Sequence, residues 1–209
     1  MNDLFRPLLR CFVLVFFENI LVYSNSGVSL FCHLSQVLQL LQDNKFYAKL
    51  SKCTFGVPSI EYLGHVISTA SVAADQSKLL AISNWSPPKS LTTLRAFLGL
   101  IGFYRKFICR YASIADPLID LLKNRIFCWT PVAAIAFDTL KRSMISFPIF
   151  RLPDFSQPFD VTMDTSQVAI GAILSQQCQP IAFFSKKLSG RMQSLSTYDR
   201  EMFAISETI

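Results

Sequence analysis

Residues 11 to 24 read CFVLVFFENILVYS. Seven apolar residues, Cys11 to Phe17, run into Glu18 and Asn19, and an apolar run resumes at Ile20. The β-branched and aromatic content of FVLVF and ILVY predicts two short buried strands, not a helix. Glu18-Asn19 then joins them, and asparagine is favoured in two-residue hairpin turns. The apolar block before the polar pair is too short to span a bilayer. It also lies at the lower length limit for a secretory leader and resumes after the pair, which argues against one even with Arg6 and Arg10 in front.

The rest of the chain is built to make cores. Of 209 residues, 51% are apolar and 16% charged, and 19 are Phe, so a disordered or purely solvating role is excluded. The formal charge of +6 suits contact with a polyanion, and it suits an ordinary basic protein equally. The six cysteines form no C-x-x-C pair and keep no zinc-finger spacing with His33 or His65. They read as free thiols in an intracellular, reducing compartment.

Phe31 to Asp43 carries Leu34, Val37, Leu38 and Leu41 at helical spacing. Short strands follow as far as Ser68, broken at Gly56-Val57-Pro58 and at Gly64. Asp75 to Trp85 predicts a helix stopped by Pro87-Pro88. Ser90 is a suitable N-cap for a long helix with Leu91, Leu94, Leu98 and Ile101 on one face, bent at Gly102. Arg95, Arg105, Lys106 and Arg110 stand among Phe97, Phe103, Tyr104 and Phe107. Basic residues interleaved with aromatics track a nucleic-acid backbone, or else form a solvated face over an aromatic core. Thr130-Pro131 opens another helix that ends at Phe147-Pro148. Pro153 to Pro158 reads as a linker. Beyond it come three strand-like runs and a helix opened by Ser196-Thr197.

An ordered set of motifs resembles the Pol polyprotein of gypsy-type LTR retrotransposons. The set comprises YLGHVIS (62–68), LRAFLGLIGFYRKFI (94–108), IADPLIDLLK (114–123), CWT with AFDTLK (up to 141) and LPDFSQPFDVTMDTS (152–166). It continues with IGAILSQ (170–176), PIAFFSKKLS (180–189) and STYDREMFAI (196–205). Each string alone is weak, and their shared order and spacing are specific. The resemblance implies an α+β fold in three parts. These are a reverse transcriptase palm remnant (1–76), thumb and connection helices (77–156), and the N-terminal half of an RNase H-like α/β domain (157–209).

It also implies where chemistry sits. The family's polymerase hairpin carries tyrosine, any residue, then two metal-binding aspartates, and those positions are Phe16, Phe17, Glu18 and Asn19 here. Glu18 moves its carboxylate by roughly an ångström or more, where catalytic geometry tolerates about 0.5 Å. Asn19 loses a charge, and Mg²⁺ prefers oxyanion ligands. By resemblance, Asp164 and Glu201 match the first two RNase H-type catalytic carboxylates. The remaining ligands of both sites belong to strands and a helix outside these 209 residues. Mg²⁺ is the family's cofactor, and the expectation is that this chain does not bind it functionally. RNA–DNA hybrid or another nucleic acid is the implied partner, through Arg95, Arg105, Lys106 and Arg110; no membrane and no protein partner is indicated. Where the family carries glycine, this chain has Ser71 and Ala169, which adds strain if those positions need positive φ. The sheet edge at Phe159–Thr165 and an unfinished core predict marginal stability for the C-terminal third.

Overall fold

The computed structural model describes residues 1–69, 71–123, 126–146 and 150–208. The chain divides into two compact units, Met1–Thr69 and Ala70–Ile209. The fold is α+β, as the sequence pattern requires.

In the first unit a short helix α1 (Asn2–Phe5) precedes the expected hairpin, β1 (Val13–Phe16) with β2 (Asn19–Val22). Its register pairs Val13 with Val22 and Phe16 with Asn19. The turn is therefore Phe17-Glu18, one residue earlier than the sequence suggests, because Asn19 is already in the ladder. Helix α2 (Gly27–Asp43) starts four residues before Phe31, because Ser26 Oγ accepts the Ser29 N–H and caps it. Val37 and Leu41, one turn apart, bury against Phe5 and Val13. β3 (Ser59–Tyr62) and β4 (His65–Ser68) form a second hairpin. Its Leu63-Gly64 turn has φ of 53° and 73°, the sign pattern of a type I′ turn.

The second unit opens with β5 (Ser71–Ala74) and α3 (Gln76–Ser83), the latter capped by the Asp75 carboxylate. Helices α4 (Leu91–Phe103), α5 (Tyr111–Lys123) and α6 (Pro131–Ile145) follow. Ser90 and Thr93 make a reciprocal capping box at the start of α4. Gly102 lies one residue before the end of α4, where chain passes into a 3-10 turn over Arg105–Phe107; the predicted bend is a helix end. Leu94, Phe97 and Ile101 of α4 meet Leu118 of α5 and Phe137, Leu140 and Met144 of α6, all essentially buried. Each such side chain contributes on the order of 1.5–3 kcal/mol by leaving water. The stop expected at Phe147-Pro148 lies outside the described residues. β6 (Phe150–Arg151) pairs with β5, and Phe150 packs on Phe107 and Phe183.

A three-stranded antiparallel sheet completes the unit: β7 (Asp160–Thr165), β8 (Ala169–Gln176) and β9 (Gln179–Lys187), in that order. α7 (Gly190–Gln193) and α8 (Thr197–Thr208) follow. The stretch Pro153–Pro158 is tied down by the side chain of Gln176, which is 2% exposed. Its Oε1 accepts the Asp154 N–H, and its Nε2 donates to the carbonyls of Asp154 and Gln157. The glycine substitutions expected to cause strain do not: Ser71 and Ala169 sit in strands, outside the positive-φ set.

Candidate polymerase turn and RNase H-type face

Strand register decides which way each candidate side chain faces. Directly opposed residues in a ladder share a face, and neighbours along a strand alternate. Asp164, Gly171 and Ser185 form one cross-strand row, and Met163, Ala172 and Phe184 the next. Met163 Sδ accepts a hydrogen bond from Thr208 of α8, so its row faces α8. Ile170 faces the same way and packs with Leu188 and Ala204. Ser185 Oγ accepts the Ala112 N–H of α5, so the Asp164 row faces α5.

On that α5 face, Arg110 Nη2 donates to Asp164 Oδ2 at 2.5 Å. Arg110 holds a left-handed φ of 56° just before α5. A second ionic tie joins Lys187 of β9 to Asp116 of α5, with Asp120 at 3.6 Å. The hydrogen bond to Asp116, and the charges of Asp116 and Asp120, raise the Lys187 ammonium above its usual pKa. Glu201 stands exposed on α8, which covers the other face.

Two adjoining hollows follow β9, each lined in part by Ser185. One, of about 410 Å³, is lined by Arg105, Lys106, Tyr111, Phe183 and Lys186. The other, of about 380 Å³, is lined by Arg110, Ser113, Asp164 and Gly171. Burial lowers the pKa of the Lys106 ammonium, which lies 4.9 Å above the centre of the Phe107 ring. Lys186 pairs with Glu207. Of the four expected basic residues, Arg105, Lys106 and Arg110 line these hollows; Arg95 stands exposed on α4. Lys186 is an added cation at the rim of the first hollow, although its ladder partner Ile170 puts it on the α8 side, where it meets Glu207.

The hairpin tip of the first unit is simpler. Glu18 is exposed, and Phe17 beside it has φ 50°, a strained value for a β-branched or bulky side chain. The Asn19 carbonyl accepts from Tyr62 Oη at 3.4 Å.

Comparison with known proteins fits this architecture. Residues 1–67 match the model of reverse transcriptase (RNA-dependent DNA polymerase), and residues 129–209 match the RNase H-like domain found in reverse transcriptase. The chain is 37% identical over 207 residues to the retrovirus-related Pol polyprotein from transposon 297 of Drosophila melanogaster. The chain belongs to the Pol family of gypsy-type LTR retrotransposons. Within this Pol family, a Tf2 transposon polyprotein of Schizosaccharomyces pombe is 31% identical over 214 residues. An uncharacterized mitochondrial protein of Arabidopsis thaliana is 47% identical over 129 residues, 61% of this chain and 82% of that protein. The alignments take in 98% of this Pol chain but 20% of the transposon 297 polyprotein, and 100% but 16% for Tf2. The chain thus spans a fifth or less of those polyproteins. Foamy viral protease–reverse transcriptase in complex with RNA/DNA hybrid shares the fold, with a TM-score of 0.87, 18% identity, and coverage of 99% of this chain and 28% of that one. The dRH form of the foamy viral protease–reverse transcriptase in complex with double-stranded DNA gives 0.86, also at 18% identity, covering 99% and 37%.

The reverse transcriptase family uses Mg²⁺. Asp164 is already ion-paired, Glu201 lies on a helix over the opposite face, and Glu18 is a single carboxylate beside an amide. Among the described residues no three His, Cys, Asp or Glu side chains converge, and no helix is long and apolar enough to cross a membrane.

Proposed function

We propose that these 209 residues, taken alone, neither extend a primer nor cleave an RNA–DNA hybrid. One observation carries the reading: in the hairpin where the family places two aspartates, the chain offers Glu18 at a strained tip and Asn19 inside the ladder. Two-metal phosphoryl transfer needs carboxylates to hold both ions, and one displaced carboxylate leaves the charge of the metals uncompensated. Asp164 and Glu201 match the RNase H-type positions by resemblance, and two carboxylates alone do not complete a two-metal hydrolase site. We assign 1–76 to the palm, 77–156 to thumb and connection, and 157–209 to the RNase H-like part. Primer extension and hybrid cleavage with the purified chain in Mg²⁺ test the proposal. Turnover above that of Glu18→Ala and Asp164→Ala controls overturns it.

A second reading stands beside it because of the hollows along β9: the chain retains a surface for RNA–DNA hybrid. Arg105 and Lys106 present cations next to Tyr111 and Phe183, a combination that holds backbone phosphate and stacks bases. Salt-dependent binding weakened by Arg105→Ala and Lys106→Ala supports this reading; binding that ignores salt, or none, removes it.

A further inference from the structure

Asp164 is the sole acidic residue among those lining the two hollows; the other charged ones are Arg105, Lys106, Arg110 and Lys186. It faces α5 with Ser185, and its carboxylate meets the Arg110 guanidinium at 2.5 Å. Both side chains remain well exposed, at 68% for Arg110 and 59% for Asp164, so a competing anion can reach the guanidinium. Gly171 lies in the same cross-strand row, between Asp164 and Ser185, and places no side chain there. A carboxylate and a backbone phosphate present similar oxygen pairs to an arginine fork.

We propose that Asp164 is an internal stand-in for phosphate that withholds Arg110 from a nucleic-acid backbone. The inference rests on the hybrid-binding reading above. A residue whose identity comes from a metal site then acts on the binding surface, with the chain's own arginine as its cation. The pair is a self-made contact that any bound polyanion must displace. Displacement costs what an exposed ion pair is worth, which is small, so the contact tunes affinity and does not abolish it. When Asp164 loses its charge, the run of cations available to phosphate extends past Ser185 to Arg110.

The test is hybrid binding by fluorescence anisotropy across a salt series, using the full chain. Four proteins are compared with wild type: Asp164→Asn, Arg110→Asn, the double variant, and Asp160→Asn. Asparagine tolerates the positive φ at position 110. Asp160 lies on the same strand and controls for net charge. Asp164→Asn is expected to bind about two- to fivefold tighter at low salt. Its log–log salt slope steepens by about 0.7–0.9, the value of one further phosphate contact. In the double variant both gains vanish. The proposal is overturned if Asp164→Asn gains no more than Asp160→Asn, or if its gain survives Arg110→Asn. If wild type and every variant fail to bind in a salt-dependent way, the hybrid-binding reading falls and takes this one with it. Wild-type binding without a specific Asp164→Asn gain defeats only this inference.

Discussion

Ser185 of β9 accepts a hydrogen bond from the backbone N–H of Ala112, in the first turn of α5, at 2.9 Å. A side chain 73 residues away in sequence thus satisfies one of the donors that every helix start leaves open. A local N-cap stabilises by about 0.5–2 kcal/mol, and this one also joins a sheet to a helix. Ser185→Ala is expected to lower unfolding free energy by about 1 kcal/mol in urea titrations. An unchanged midpoint would show that water replaces the hydroxyl without loss.

Gln176 should be less forgiving. Its side chain is buried and bonds the backbone of Asp154 in both directions, with Gln157 as a further acceptor. Removing it strands polar backbone groups away from water. Gln176→Ala is expected to cost about 1–3 kcal/mol. It should also speed amide hydrogen exchange around Asp154 more than in α4 or α6. Equal exchange changes across the unit would contradict the local clamp.

The Lys187–Asp116 tie sets a pH dependence on the alkaline side. The folded pKa of Lys187 lies above its ordinary value of 10.5. Its contribution is therefore fully present below that ordinary value and fades as pH rises through the higher folded one. Wild type should exceed Lys187→Met in Tm at pH 7, and the gap should close as pH rises through the raised folded value. Asp120 behaves in mirror image: its hydrogen bond from Lys123 lowers its pKa, so its contribution fades as pH falls through a value below 3.8. A gap between wild type and Lys187→Met that persists at high pH would mean the methylene packing, and not the charge, was lost.

The β8–β9 turn carries removable strain. Gln177 and Cys178 both have positive φ, at 51° and 62°, in a two-residue turn that favours Asn-Gly. Each L-residue there costs about 1 kcal/mol. Cys178→Gly is expected to raise stability by up to about that amount. A lower Tm in Cys178→Gly would mean that glycine's unfolded-state entropy outweighs the strain.

The parts of the fold legible in sequence were those with local causes. Ser90, Asp75 and Thr130 each cap the helix their position announces. The first hairpin followed from its apolar runs, and only its turn moved, because a ladder pair at Phe16 and Asn19 is a cross-strand fact. The site was less legible. Arg110 and Asp164 are 54 residues apart, and neither has a local pattern that names the other. The reach of Gln176 back to Asp154 was hidden for the same reason: a glutamine near a strand end resembles any surface residue until the chain folds over it. Asp164 and Glu201 were identifiable by motif, yet the alternation of a strand and the side taken by a helix decide whether two carboxylates meet.

The two sides of the β7–β8–β9 sheet carry different mixes of contact. Towards α5 lie the ion pairs Arg110–Asp164 and Lys187–Asp116, beside Phe183 packed on Phe150. Towards α8 lie Ile170, Leu188, Ala204 and Phe203, with the ion pair Lys186–Glu207. Raising ionic strength screens the ion pairs on both sides and leaves the apolar packing intact. Cooling weakens the apolar packing and spares the ion pairs. Contacts of both kinds hold each side, so neither salt nor cold alone should free the three strands from their helices.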